Sequence, residues 1–108
     1  MEAMESLCLE KGYRHWPADI QAIDNPLEAG MGFVCKLRTG QEFCGRAALE
    51  EARDRGLAKR LVCLTMDRKV PLNGGETILM DGVVRGYLRR ASTGHTDTRT
   101  TGVILVNY

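Results

Sequence analysis

An Asp-Gly dipeptide between two apolar runs is the feature that most constrains the fold of this chain. The run Glu-Thr-Ile-Leu-Met at 76–80 precedes Asp81-Gly82, and the run Val-Val-Arg-Gly-Tyr-Leu-Arg-Arg at 83–90 follows it. Asp-Gly readily supplies the two positive-φ residues of a type I′ turn, so the sequence predicts a two-residue β-hairpin. Gly86 inside the second run predicts a bend in that strand.

The rest of the chain predicts two short helices, three further strands and a polar loop. Met4, Leu7 and Cys8 share one face of the first helix, and Gly12 is suited to end it. Strands that follow one another with short connections favour a small antiparallel barrel or sandwich over a parallel sheet. The last strand is expected to be an unpaired edge if its partner lies beyond residue 108. The predicted ranges are helices at 2–11 and 46–55, strands at 32–37, 59–67 and 102–108, and a loop at 93–101.

A helix-start signal stands between the first helix and the predicted strands. Asn25 is a favourable N-cap, Pro26 suits the first helical position and Glu28 suits the third. Gly30 follows closely. The pattern predicts a single helical turn that serves as a structural corner.

Length and charge bound the class of protein. A chain of 108 residues is one domain at most, or one domain with part of another. Its net charge of +1 gives no electrostatic argument for a nucleic acid or a membrane as partner. No apolar run approaches the ~18 residues that span a bilayer. The first residues are acidic, whereas a transit peptide is basic, so any targeting segment is expected outside this chain.

The four cysteines, Cys8, Cys35, Cys44 and Cys63, show no Cys-x-x-Cys spacing. Neither a zinc site nor a dithiol redox motif is therefore indicated. Each lies among apolar neighbours, and we interpret all four as buried, reduced thiols in a reducing compartment.

The residues offer little chemistry of their own. His15 and His95 are far apart in sequence, and no spacing pairs either with a nucleophile. No Gly-x-Gly-x-x-Gly follows a predicted strand, so a dinucleotide site within this chain is not expected. We assign no catalytic residue, no FAD-binding residue and no metal ligand.

Four arginines near the end of the chain could form a basic patch. The absence of interleaved aromatic residues argues against a single-stranded nucleic-acid platform. The favoured interpretation is a charged outer face, and the alternative is a surface that grips an anionic tail or an adjoining domain. The four are Arg85, Arg89, Arg90 and Arg99.

Trp16 is the residue whose sequence environment most invites a ligand. It lies in a loop beside Arg14 and His15, where its ring could stack on a flat group and its N–H could donate. The alternative, which we favour from sequence, is a buried side chain that fills a gap between two domains.

Several motifs occur in order along the chain. They are Ser6-Leu7-x-Leu9-Glu10-Lys11-Gly12-Tyr13-Arg14-His15-Trp16, Asn25-Pro26-Leu27-Glu28-Ala29-Gly30, Phe43-x-Gly45-Arg46-x-Ala48-Leu49 and Arg60-Leu61-Val62-Cys63-Leu64-Thr65-Met66. Together they resemble the folate-binding aminomethyltransferase family, which includes the glycine-cleavage T-protein. The run Glu-Lys-Gly-Tyr-Arg-His-Trp is similar to the flavin-containing dehydrogenases of that family.

The resemblance implies a C-terminal fragment of a larger mitochondrial-matrix enzyme. Its fold class would be α+β, mainly β. Residues 1–35 would end a folate-binding domain, and residues 36–108 would form part of an aminomethyltransferase-type C-terminal antiparallel β-barrel. FAD would be held by the missing N-terminal half, where sarcosine, or alternatively dimethylglycine, is oxidised, and tetrahydrofolate would accept the one-carbon unit. The implied partner is the remainder of the polypeptide, with neither nucleic acid nor membrane involved.

The resemblance also implies folate-binding candidates, namely Arg14, Trp16 and the position of Cys8. The family usually has arginine at the Cys8 position, and a thiol cannot replace a guanidinium that forks onto a carboxylate. A second departure is residues 94–99, where the family tends to an aromatic-Gly-aromatic stretch. Two other readings stay open: a non-catalytic interaction or regulatory module of the same fold, and a T-protein-like aminomethyltransferase fragment.

Overall fold

The computed structural model describes residues 2–96 and 100–107. It contains two α-helices, a short 3₁₀ turn at Gly32–Val34 and one antiparallel sheet of four strands. The predicted α+β class, mainly β and antiparallel, is confirmed. The elements are α1 (Glu2–Lys11), α2 (Arg46–Arg55), β1 (Lys59–Thr65), β2 (Thr77–Met80), β3 (Val83–Thr93) and β4 (Thr100–Asn107).

The last strand lies inside the sheet. The strand order is β1-β4-β3-β2, so β4 pairs with β1 on one side and with β3 on the other. The expectation of an unpaired terminal edge is therefore wrong. The β2–β3 hairpin lies apart from β1 and leaves a slot between them that β4 fills, so both partners of β4 are within the chain.

The predicted hairpin is confirmed, and its turn has the expected geometry. Asp81 has φ 53° and Gly82 has φ 76°, the left-handed values that a type I′ turn requires. Ile78 pairs with Gly86 while its neighbour in β2 pairs with Val84, so one residue of β3 bulges out beside Gly86. The predicted bend is thus a β-bulge at Arg85.

Strand β3 contains a second bulge further along, against β4. Leu88 pairs with Ile104 and Arg90 pairs with Val103, so Arg89 has no counterpart in β4. In a regular strand, neighbouring side chains point to opposite faces of the sheet. A bulge re-aims side chains, and this one allows Arg89 and Arg90 to reach the same loop.

Two predicted ranges are wrong. Residues 32–37 do not form a strand, because local hydrogen bonds at Gly32–Val34 satisfy the backbone. The Val34 N–H donates to the Met31 carbonyl at 3.1 Å. The predicted loop at 93–101 is shorter than expected, because Thr93 pairs with Thr100 at the ends of β3 and β4. Its residues 97–99 lie outside the described part of the chain.

The helices and the first long strand are close to their predicted bounds, and the core they bury is small. Leu9 of α1 packs against Leu61 of β1, with Ile20 beside them. A second cluster centres on Leu88 of β3. The radius of gyration, 15.4 Å, exceeds the value of about 13 Å typical of a compact chain of 100 residues. Many large side chains stay exposed, among them Met4, Leu7, Tyr13, Ile23, Phe33, Leu79 and Val84.

No helix in the described residues is long and apolar enough to cross a membrane.

Gly102 in β4 provides a test of how tightly the sheet packs. A Cβ at this position would lie 2.8 Å from Leu88 Cδ1 and 3.3 Å from the Arg90 carbonyl oxygen. Leu88 is buried, so its side chain has little room to move away from an added methyl group. We therefore expect Gly102→Ala to lower the free energy of unfolding by about 1–3 kcal/mol. Urea denaturation measures the change. Gly40→Ala, which meets open space, is the control and should alter stability by less than about 0.5 kcal/mol. Equal values for the two variants would contradict the packing described.

Candidate functional site

Helix α1 places Cys8 close to the sheet. The helix ends as predicted at Gly12, whose φ of 71° is left-handed, and the Tyr13 N–H donates to the Cys8 carbonyl at 2.8 Å. The buried Ser6 hydroxyl donates to the Thr93 carbonyl of β3 at 3.0 Å. These contacts fix the helix on the sheet and direct the chain into the loop that carries the other candidates.

The predicted corner is confirmed. The Asn25 N–H donates to Glu28 Oε2 at 3.0 Å, and the Glu28 N–H donates to Asn25 Oδ1 at 2.9 Å, a reciprocal capping box. Gly30 ends the turn with φ 71°. The Leu61 N–H then donates to the Glu28 carbonyl at 2.8 Å, which ties the corner to β1.

Asp24, just before the corner, is held by two cations. Arg89 Nη1 lies 2.7 Å from Asp24 Oδ2, and Lys59 Nζ lies 2.7 Å from Asp24 Oδ1. The Asp24 and Arg89 side chains are only 4% and 1% exposed. Burial alone would raise the pKa of Asp24, but hydrogen bonds from Arg89, Lys59 and the Gln21 N–H outweigh it and lower this pKa to about 2.

Asp19 forms a second, parallel ion pair. Arg90 donates from Nε to Asp19 Oδ1 at 3.0 Å and from Nη2 to Asp19 Oδ2 at 2.5 Å, a forked arrangement. The Asp19 side chain is fully buried and also accepts the His15 N–H at 2.8 Å. The hydrogen bond to Asp19 raises the pKa of the Arg90 guanidinium above its ordinary value despite burial.

Arg89 and Arg90 are therefore not part of a charged outer face. Arg89 and Arg90 point inward onto the loop of residues 13–31, which we call the docking loop. Arg89 also donates to the Asp19 carbonyl, and its guanidinium carbon lies 5.8 Å from the centre of the Tyr87 ring. Arg99 lies outside the described residues. The sequence analysis did not identify Asp19 and Asp24 as the partners of these arginines. The sequence signal for them was weak, because they are two separate acidic residues in a loop and only their charge is opposite to that of the Arg-Arg pair.

Two of the three candidate residues meet at one small cavity. It measures about 80 Å³ and opens beside α1, where Cys8, Arg14 and Arg90 are among its lining residues. Arg14 Nη1 donates to the Gly12 carbonyl, and a Cβ at Gly30 would lie 3.2 Å from Arg14 Nη2. Glycines on both sides thus make room for the guanidinium. Arg14 Nε is buried without a partner in the described residues.

Trp16 does not join them. Its side chain is 59% exposed, and it is not among the described residues that line this cavity. Within the described residues Trp16 therefore fills no gap, and its burial between two domains stays a prediction. The docking loop presents the ring outward because it is anchored by Asp19 and Asp24 rather than by its tryptophan.

The described residues do not form a site that fits a whole folate. Ligand pockets typically enclose about 300–1,000 Å³, several times the volume of this cavity. Cys8 supplies no guanidinium, and the Arg90 fork is already bound to Asp19. Arg14 Nε has no partner in the described residues, but it is buried. The same part of the chain contains no cluster of three or more residues able to hold a metal ion.

The cysteines are free, as predicted, but only two are partly buried. Cys8 and Cys35 are half-buried, whereas Cys44 and Cys63 are exposed. Leu61 is covered by α1, but the helix ends before it reaches Cys63, which lies in an open cleft beside Gly12. The prediction of buried thiols is therefore wrong for Cys44 and Cys63. Apolar neighbours in sequence do not bury a side chain, because burial depends on other elements packing over it.

Comparison with known proteins supports the resemblance. Residues 1–39 match the family described as the GCVT N-terminal domain. Over most of its length the chain is similar in sequence to dehydrogenases and aminomethyltransferases, as the ordered motifs predicted. It is 52% identical over 98 residues, 91% of its length, to mitochondrial sarcosine dehydrogenase of Mus musculus. It is 41% identical over 78% of its length to mitochondrial dimethylglycine dehydrogenase of Homo sapiens, and 37% identical over 74% to an aminomethyltransferase of Phocaeicola vulgatus.

The matched segment is a small part of each relative. The chain spans 11% of the sarcosine dehydrogenase, 10% of the dimethylglycine dehydrogenase and 22% of the aminomethyltransferase.

The Asp24 ion pair predicts a pH-dependent stability. The pKa of Asp24 is lower in the folded chain than its ordinary 3.8, so its contribution is complete above about pH 4 and is lost as pH falls through about 2. We expect this loss to be about 2 kcal/mol, measured by urea denaturation at successive pH values.

Asp24→Asn should remove that acid-dependent loss and lower stability at neutral pH by about 3 kcal/mol, because Arg89 loses its buried counter-charge. Asp67→Asn, an exposed position after β1, is the matched control and should leave the pH profile unchanged. If the stability of Asp24→Asn falls at low pH as steeply as that of the wild type, the role given to this ion pair is contradicted.

Thiol labelling tests which cysteine side chains are exposed. We expect a water-soluble thiol reagent to modify Cys44 and Cys63 of the folded chain rapidly, because both side chains are exposed. Cys8 and Cys35 should react slowly until denaturant is added. Mass spectrometry of the peptides identifies the labelled sites, and Cys44→Ser with Cys63→Ser should abolish the rapid phase. Rapid modification of Cys8 would contradict the partial burial of its side chain beside the sheet.

Proposed function

We propose that this chain is a segment of a sarcosine dehydrogenase-like flavoenzyme. The whole enzyme oxidatively demethylates sarcosine to glycine and passes the one-carbon unit to tetrahydrofolate. The observation that carries the proposal is 52% identity over 91% of the chain to a sarcosine dehydrogenase. A mitochondrial-matrix location is part of the same proposal, because the sarcosine and dimethylglycine dehydrogenase relatives are named as mitochondrial.

Within that enzyme, residues 1–35 would form the C-terminal end of the folate-binding domain, and residues 36–108 would belong to the C-terminal barrel. The family match over residues 1–39 supports a boundary near this point. The ion pairs of Asp24 with Arg89 and of Asp19 with Arg90 cross that boundary. This segment would therefore act by holding two domains in register.

The candidate residues would then line one edge of the folate site. The exposed ring of Trp16 supports this role, since it is free to meet a ligand supplied with other parts of the enzyme. Arg14 lines the cavity beside Cys8, but its Nε is buried within the described residues. The Cys8 position would contribute no charge–charge contact to a carboxylate. FAD binding and the chemical steps would depend on residues outside this segment, which acts as a positioning element.

A specific observation favours each alternative. The thiol at Cys8 and the 80 Å³ cavity favour a non-catalytic interaction or regulatory module. The 37% identity to an aminomethyltransferase, of which the chain covers 22%, favours a T-protein-like fragment. The higher identity and longer match to the sarcosine dehydrogenase place the first proposal ahead of both.

The experiment is to isolate the native polypeptide with an antibody against this chain. We expect a polypeptide much longer than 108 residues that shows a flavin spectrum, and we expect sarcosine to bleach that flavin. Tetrahydrofolate should trap the one-carbon unit, and its omission should release formaldehyde. An antibody against an unrelated matrix protein is the control.

The other outcomes separate the rivals. A flavin-free polypeptide no longer than this chain would replace the proposal with the non-catalytic module. A longer flavin-free polypeptide that transfers aminomethyl groups would replace it with the T-protein-like assignment. A flavoprotein bleached by dimethylglycine and not by sarcosine would change the substrate.

A further inference from the structure

A second cleft lies between the 3₁₀ turn and α2. It encloses about 540 Å³, a volume typical of ligand pockets, and none of its lining residues belongs to the cavity beside Cys8. The described residues that matter for its chemistry are the apolar Leu27, Phe33 and Leu37 and the cationic Lys36, Arg38 and Arg53. Nothing in the proposed function assigns a role to this cleft.

One wall of the cleft is fixed by a guanidinium. Arg46, at the start of α2, donates from Nη1 to the Thr39 carbonyl at 2.7 Å and to the Gln41 carbonyl at 2.6 Å. Its Nη2 donates to the Leu37 carbonyl at 3.2 Å, and its Nε donates to Glu50 at 3.1 Å. With its side chain only 14% exposed, Arg46 holds the loop that carries Lys36 and Arg38 in one conformation. A preformed wall reduces the entropy that a ligand must overcome.

The charges of the cleft are all of one sign. None of the described residues that line it is acidic. Lys36 and Arg38 form no ion pair with any described residue, and Arg53 pairs only with its exposed neighbour Asp54 at 3.0 Å. Exposed pairs of that kind contribute little, so Arg53 is available to a stronger partner. Three cations around one cleft create an attraction for anions.

The apolar part of the cleft is uncovered. Phe33 is 85% exposed, the largest exposed fraction among the large hydrophobic residues described. Leu27 is packed beneath the turn, where its Cδ2 would lie 3.1 Å from a Cβ on Gly32. The cleft therefore offers an aromatic face above an aliphatic floor, beside two cations, Lys36 and Arg38, that form no ion pair with any described residue.

We propose that this cleft binds a small aromatic carboxylate. The ring packs against Phe33 and the leucines, where aromatic pairs gain from offset or edge-to-face contact. The carboxylate group of the ligand binds among Arg38, Lys36 and Arg53, and an arginine can bind a carboxylate in a forked geometry. The volume of the cleft, with Phe33 as the one aromatic residue among the described residues that line it, favours one small ligand over an extended acidic peptide. The proposal stands independently of the sarcosine dehydrogenase-like assignment.

The test uses naphthalene dicarboxylate, whose own fluorescence reports binding to the 108-residue chain. We expect saturable binding that weakens as salt is raised, because exposed charges are screened. The uncharged naphthalene dicarboxamide should bind about tenfold more weakly, since it carries no negative charge to pair with the cations of the cleft.

Variants locate the site. Lys36→Gln with Arg38→Gln should weaken binding about tenfold or more, and Phe33→Ala should weaken it several-fold. Arg68→Gln with Lys69→Gln removes the same charge from an exposed loop outside the cleft and should leave affinity unchanged. Circular dichroism confirms that each variant folds. Nuclear magnetic resonance of the wild type gives an independent readout, with shifts expected at residues 33–39.

Several results would overturn the proposal. One is a folded wild type without saturable binding. Another is equal loss of affinity in the cleft pair and the loop pair, which would show attraction by net charge alone. Resonance shifts confined to residues outside 33–39 would place the ligand elsewhere. Tighter binding of a polyglutamate peptide than of the dicarboxylate would assign the cleft to an acidic protein segment instead.

Discussion

The architecture depends on the two adjacent arginines of β3 and the two buried carboxylates they bind. Arg89 and Arg90 are consecutive, and a regular strand would point them to opposite faces of the sheet. The bulge at Arg89 removes that alternation, so both side chains reach the docking loop. Asp24 and Asp19 receive them there. A single irregularity in strand pairing thus decides where the N-terminal part of the chain sits on the sheet.

Ion pairs of this kind define geometry more than they add stability. Removing two charges from water has a cost that their attraction only partly offsets, whereas losing one partner is strongly destabilising. Asp24 satisfies its oxygens with Arg89, Lys59 and a backbone N–H, and Asp19 accepts a fork from Arg90. Any other placement of the docking loop would leave buried charges unpaired. The loop is therefore held in one position, with the Arg14 guanidinium between Gly12 and Gly30.

Local signals in the sequence were sufficient for the local elements. Asp81-Gly82 defined the hairpin, and Asn25 with Glu28 defined the corner, because in each case the interacting groups are neighbours. The strand predicted at 32–37 was wrong because β-propensity competes with turn hydrogen bonds that need no partner strand. The Arg90 contact with Asp19 spans 71 positions, and no pattern within one sequence links two such residues. The sequence therefore singled out Cys8 and Arg14, but it did not predict that Arg90 lines the cavity with them, that Trp16 does not, or how small the cavity is.

The two sets of arginines differ in what they can still bind. At the docking loop, Arg90 is already matched by a buried carboxylate, and a ligand anion there would have to displace it at the cost of leaving Asp19 unpaired. At the cleft, Lys36 and Arg38 have no anionic partner in the described residues, so an incoming carboxylate displaces only water. Satisfied charges fix the fold, and unsatisfied charges beside an exposed ring such as Phe33 are available for recognition. This difference makes the cleft, rather than the arginine-rich strand, the better place for a ligand.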